Sequence, residues 1–191
     1  MRFLIDLAIA IVIAVAVGIS SAWFAIERGP LFGSVNVGAW TAWPQEGSVD
    51  ADPYSLAMLA RTGEVPLGSS EGLSFTANSD SVGGALSGRC SYEIVGQTPP
   101  ARMWTLTAYD STGRLMVNVA RRSGFHSREI LREPDGKFVI AVGPTVSPGN
   151  WLPIASVERF YLVLRLYDTP LATGSQIGDL VMPEIRRGRC A

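Results

Sequence analysis

The chain has 191 residues, 47% of them hydrophobic and 17% charged, with a formal net charge of −1. That balance, without Lys/Arg clustered over a basic body, excludes a nucleic-acid-binding protein. The length suits one membrane span plus one domain of roughly 150 residues, and two Cys and one His in no ligand spacing leave no metal site and no cofactor to expect.

Leu7 to Ile26 reads LAIAIVIAVAVGISSAWFAI and holds no charge. About 20 apolar residues in a helix span the roughly 30 Å hydrocarbon core of a bilayer. A cleaved signal peptide is the alternative, because Ser20-Ser21-Ala22 satisfies the small-residue rule at the cleavage site. The retained anchor is preferred, because the apolar run continues through Trp23, Phe24 and Ile26, and Trp23 suits the aromatic belt of a membrane interface. Arg2 favours an amino terminus on the cytoplasmic side, which exports residues 27–191 to the periplasm from a single pass through a bacterial inner membrane. The expected division is an anchor over 1–28, a connector over 29–49 and a β-sandwich over 50–191.

The connector is punctuated by Gly29-Pro30, Gly33, Gly38 and Trp43-Pro44 and reads as extended chain that buries its aromatics, Trp40 and Trp43. Asp52-Pro53 opens a helix that Gly63 closes, with Leu56, Leu59 and Ala60 spaced to form one buried face. Strands follow. Gly72–Ala77 and Ser91–Val95 read as a hairpin around the Asn78–Gly88 turn cluster. Met103–Tyr109 alternates, with Trp104, Leu106 and Ala108 on one face, and Asp110–Gly113 is a turn. A short strand is expected at Arg114–Asn118 and an edge strand at Phe125–Arg132. Phe138–Val142, continuously apolar, reads as a strand covered on both faces, and Gly143–Pro153 as a long loop. Phe160–Tyr167 has a pure apolar face of Phe160, Leu162, Leu164 and Leu166. Ser175–Ile185 reads as a last short strand or helix, and the basic tail with Arg186, Arg187 and Arg189 as a frayed end. Many short strands between Gly/Pro/Asp turns indicate an all-β sandwich of jelly-roll type with one short helical segment.

Leu106–Asp110, Gly113-Arg114-Leu115, Asn118 with Arg121, Asp135-Gly136, Asn150–Pro153 and Phe160–Tyr167, in that order, resemble the bacterial family known as domain of unknown function 1214. Together they cover about a third of the chain. The chain departs from the family pattern at Arg122, where a Tyr is expected, and between Gly174 and Pro183, where no Trp stands. The resemblance implies a jelly-roll sandwich and no settled reaction. It also implies a partner, since that module commonly follows another, domain of unknown function 1254. Here an anchor stands in its place, so a separate membrane-anchored chain is expected to supply it.

An even cysteine count in an exported domain points to a Cys90–Cys190 disulfide; the alternative is two unpaired thiols. Arg165 sits mid-strand in an apolar and aromatic run, so it is either paired at the sheet surface, with Tyr167 stacked beside it, or serves with Arg121 and Arg122 as an anion or partner site. His126 is the sole candidate histidine base and reads as an edge-strand residue. Asn150-Trp151 reads as a loop clamp or a ligand contact. These residues fit a non-enzymatic binding module of the envelope. The alternatives are a hydrolase of envelope sugars or lipids, which needs His126 or two carboxylates converging in a pocket, and a structural subunit of a homo-oligomer.

Overall fold

The computed structural model describes residues 2–27, 33–63, 65–118, 120–173 and 180–190. Arg2–Glu27 is one helix of 26 residues (α1), none of it buried, and it is long and apolar enough to cross a membrane. At 1.5 Å per residue it extends about 39 Å.

Two sheets carry the rest. Strands β1 (Val35–Val37), β2 (Trp40–Ala42), β3 (Gly72–Ala77), β9 (Phe160–Tyr167), β5 (Met103–Asp110) and β6 (Gly124–His126) form a six-stranded sheet in the order β1-β2-β3-β9-β5-β6. Strands β10 (Glu184–Cys190), β4 (Cys90–Gly96), β7 (Phe138–Gly143) and β8 (Asn150–Pro153) form a four-stranded sheet in that order. Neighbours are antiparallel except β7 and β8, which run parallel. The arrangement is the β-sandwich that the turn spacing indicates. It is described by its strand order rather than as a jelly roll.

Period-two alternation makes the core. Phe160, Leu162, Leu164 and Leu166 of β9 are all buried, and so are Trp104, Leu106 and Ala108 of β5. Aromatic pairs bridge the sheets: Trp104 of β5 lies 5.2 Å from Phe138 of β7, and Phe160 of β9 lies 5.7 Å from Tyr92 of β4. A fully buried side chain of this size contributes on the order of 1.5–3 kcal/mol.

Several elements differ from their sequence reading. β3 and β4 do not pair as a hairpin: β3 pairs with β2 and β9, and β4 with β7 and β10. The turn cluster between them carries the chain from one sheet to the other. Arg114–Asn118 is not a strand; it meets β5 through an isolated bridge, Tyr109 to Leu115. The expected edge strand over Phe125–Arg132 shortens to β6, because the His126–Glu129 contact turns the chain away. Val139 is 37% exposed, so β7 has one open face. Asn150–Pro153, expected within a loop, is β8. Residues 175–179 of the expected last element lie outside the described residues.

The tail is not frayed. Glu184–Arg187 pairs in register with Tyr92–Val95 of β4, and Ile185 is 1% exposed. Arg187 Nε lies 2.8 Å from Oδ2 of the buried Asp80, and the Cys90–Cys190 disulfide closes the end of the ladder.

Pro53–Thr62 forms α2. The Asp52 side chain accepts from the N–H groups of Tyr54 and Ser55, and Gly63, at φ 71°, donates its N–H to Leu59 O. Its covered face differs from the expected one. Leu56 is 51% exposed and Ala60 is exposed, whereas Ser55 is buried and Met58 and Leu59 are partly buried. The helix roofs a cleft and does not pack on the core.

Candidate functional site

The outer face of the six-stranded sheet carries the residues that alternate with the core. Register sets Ser74 opposite Arg165, Arg165 opposite Thr105, and Thr105 opposite His126, a polar row across four strands. Directly paired residues share a face. Two rungs along, Tyr109 pairs with Tyr161, and their rings stack 5.4 Å apart at 13°. The Arg165 guanidinium reaches along the sheet to this pair. Its Nη1 donates to the Tyr109 hydroxyl at 3.1 Å, and its carbon lies 5.7 Å from the Tyr109 ring centre. The expected stacking on Tyr167 is replaced by this contact. No carboxylate pairs with Arg165 among the described residues.

Above this floor lies a cleft of about 760 Å³. Such a volume falls in the range of roughly 300–1,000 Å³ of small-molecule sites. Ser74, Thr76, Val163 and Arg165 form its floor, and Tyr109, Thr112 and Tyr161 one wall. Met58 and Leu59 of α2 and the Val65-Pro66-Leu67 segment form the apolar roof, with Arg61 at its rim and Trp43 and Glu46 at its other end. Gly47 permits the approach of these two roof segments, since a side chain there would overlap the Leu67 carbonyl. The Trp43 indole N–H is buried and has no acceptor among the described residues. The Thr112 wall is shaped by Asp110, whose carboxylate accepts from the Thr112 hydroxyl at 2.7 Å and from the N–H groups of Thr112 and Arg114. These bonds, the Thr112 hydroxyl first, hold the Asp110 carboxyl below the usual aspartate range.

The roof touches α1. Arg61 Nη1 lies 2.6 Å from Glu27 Oε2, and the Arg61 guanidinium stacks 4.7 Å above the Trp23 ring. The cleft therefore opens beside the end of α1 that carries Trp23.

Other residues singled out in the sequence lie elsewhere. Arg121 and Arg122 do not line the cleft and do not join Arg165. Arg121 holds φ 53° in a turn clamped by Asn118, whose side-chain amide donates to Arg122 O at 2.7 Å and whose side-chain oxygen accepts from Arg122 N at 3.0 Å. Arg122 stacks on Phe125 at 4.7 Å. His126 is exposed beside Glu129, with Nε2 3.5 Å from Oε2, and lies outside the cleft. Asn150 is a clamp: its side chain accepts from Leu131 N and donates to the carbonyls of Leu131 and Val139, at 2.7–2.9 Å. Trp151 Nε1 donates to Gly143 O at 3.1 Å. Among the described residues no group of three or more His, Cys, Asp or Glu stands close enough to hold a metal. Sequence reasoning missed Tyr109, Tyr161, Ser74 and Thr76 as cleft residues, although their outward alternation beside Arg165 is a signal that could have found them.

The family described as "Protein of unknown function (DUF1214)" matches residues 71–171. No curated protein matches the chain. Among solved structures, the VPA0106 protein from Vibrio parahaemolyticus is similar, with 26% identity and a TM-score of 0.59 over 73% of this chain. A putative uncharacterized protein from Burkholderia cenocepacia has 14% identity and a TM-score of 0.43 over 88% of this chain. The chain spans 36% of the first of these chains and 48% of the second.

Proposed function

The chain belongs to the DUF1214 family, and from that premise we propose that it is a membrane-tethered, non-catalytic binding module of the bacterial cell envelope that presents the Arg165 cleft to a periplasmic ligand. One observation carries the reading: a partly buried guanidinium with no carboxylate partner among the described residues sits at the floor of a cleft lined by hydroxyls. A charge held out of water without a counter-charge is costly, and an anionic ligand offsets that cost. The disulfide supports an oxidising compartment, and Arg2 supports an inside amino terminus. The hydrolase reading loses support, because His126 and the carboxylates Asp110 and Asp135 do not converge in the cleft.

Pairing with a separate module is the second part of the proposal. The VPA0106 chain extends over nearly twice as much again as the part this chain matches, and we assign the role of that further part to a separate partner chain that binds this one. Affinity capture from solubilised membranes tests it: recovery of this chain alone argues against a stable partner.

Occupancy of the cleft is tested in living cells with a photoreactive benzoylphenylalanine in place of Ser74. Irradiation is expected to give an adduct there and none from the same residue in place of Val146, which lies in the turn between β7 and β8 and is 76% exposed. Equal labelling at both positions, or none at either, refutes the binding reading.

A further inference from the structure

The cleft is divided by chemistry. Its floor is polar around one cation, and its roof is apolar along Met58, Leu59 and Val65-Pro66-Leu67. Guanidinium has five N–H donors, and among the described residues only one hydrogen bond from Arg165, to Tyr109, is made. The planar fork left over matches a carboxylate or a phosphate. Ser74, Thr76 and Asn78 stand along the same floor as further hydrogen-bonding groups.

The rim of the cleft is fixed to the membrane anchor. Arg61 lines the cleft and holds both Glu27 and Trp23 in the last two turns of α1. Tryptophan at a span end sits at headgroup depth. The apolar roof therefore lies beside the bilayer surface, and a ligand leaving the leaflet reaches it without crossing open water. Resting on the binding-module reading, we propose that the cleft binds an anionic single-chain amphiphile drawn from the leaflet that α1 enters. Its carboxylate or phosphate head pairs with Arg165, and its chain lies under α2 and the Val65–Leu67 segment. Head and tail each have a matching surface, whereas a fully polar anion leaves the roof unused and a neutral lipid leaves Arg165 unpaired.

The test uses the full chain in phosphatidylcholine nanodiscs and three photoactivatable probes: palmitate, palmitoyl glycerophosphate and hexadecanol. Peptide mapping reads the labelled residues. One or both charged probes are expected to label residues 58–67 and 72–78, with hexadecanol at least about tenfold weaker, a factor equivalent to about 1.4 kcal/mol. The better charged probe identifies the head as carboxylate or phosphate. Arg165→Gln, with an unchanged melting temperature, is expected to lower charged labelling by about tenfold or more. Should that variant fail to fold, competition on the native protein decides: unlabelled palmitate or palmitoyl glycerophosphate must displace the label, and hexadecanol must not. Labelling that is equal for charged and neutral probes, or undiminished in a folded Arg165→Gln protein, overturns the proposal. An in-cell adduct of a polypeptide at position 74, with no charged label in the cleft, overturns the amphiphile but leaves the binding module standing. No adduct in either experiment removes both.

Discussion

Removing the disulfide by Cys90→Ala together with Cys190→Ala is expected to cost about 4–5 kcal/mol. The two cysteines are 100 residues apart in sequence, so the bond closes most of the β-sandwich into one loop. For a loop of that length the chain-entropy relation gives about 4.7 kcal/mol, through the freedom restored to the unfolded state. A domain of this size loses about 2–4 °C per kcal/mol, so the melting temperature is expected to fall by about 10–19 °C. The folded state should change little. β10 keeps its register with β4, its buried Ile185 and the Arg187–Asp80 contact. Equilibrium urea unfolding of the full chain, followed by tryptophan fluorescence before and after the double substitution, measures the loss. Native-state hydrogen exchange checks its character: the amides of Ile185, Arg186 and Arg187 should still open only with the whole domain. A loss below about 1 kcal/mol would refute the loop argument. So would exchange of β10 alone, which would make the disulfide a local clasp on an edge strand.

Asn150→Ala removes three part-buried hydrogen bonds between the buried Asn150 side chain and the backbone of Leu131 and Val139, and is expected to cost about 1–3 kcal/mol in a thermal melt; a change within experimental error would mean that the clamp is redundant. Asp52, Asp110 and Asp135 all have carboxyls held below the ordinary value of about 3.9 by hydrogen bonds, from Ser55, Thr112 and Lys137 respectively. Below that value the unfolded chain binds more protons than the native one, so their stabilisation is complete above it and is lost as pH falls through the lower native values. Stability from urea titrations between pH 6 and pH 2 should decline at the acid end, and less steeply after Asp110→Asn; an unaltered profile in that variant would contradict the assignment. Ala16→Arg places a charge near the middle of α1, at about 2.5–3.5 kcal/mol for a span centre, and should shift the chain out of the alkali-resistant membrane fraction. Full retention would show that α1 does not span.

What was legible in the sequence was what local pattern encodes. α2 is bounded by the residues that cap it, Asp52 and Gly63. β3 and β9 span Gly72–Ala77 and Phe160–Tyr167, where alternation begins and ends. Arg165 stood out because a charge breaks an apolar run, and of the two readings of Asn150-Trp151 the loop clamp is the one its hydrogen bonds show. Pairing across long separations was not legible. β3 and β4 looked like a hairpin because the turn residues between them permit one, yet β3 finds β9, some 90 residues on, and strand alternation carries no label for its partner. The tail looked frayed because three arginines read as a solvated end. In the structure they lie on a strand that buries Ile185 and pairs Arg187 with the buried Asp80. The covered face of α2 was misread for a related reason: its contacts are with a cleft and the end of α1, and helical spacing alone does not distinguish these from a core.

The cleft itself could not be seen in any one stretch, because its halves come from different parts of the chain. The floor and wall residues Ser74, Arg165, Tyr109 and Tyr161 fall within the family-matched segment, 71–171. The roof and rim residues, Trp43, Met58, Arg61 and Val65–Leu67, precede it. Within the matched segment, the motif residues Asn118, Asp110 and Asn150 all close turns or clamp loops. They hold the sandwich in shape and contribute no chemistry of their own. On the proposed binding reading, recognition chemistry resides instead in the outward row of the sheet, where no packing constraint demands a guanidinium. The roof then decides what that guanidinium meets. Through Arg61 the same roof is tied to Trp23 and Glu27, so on the proposed reading the placement of α1 in a membrane bears directly on the cleft. A cleft built this way is sensitive to how the chain is anchored, which a soluble sandwich with the same floor would not be.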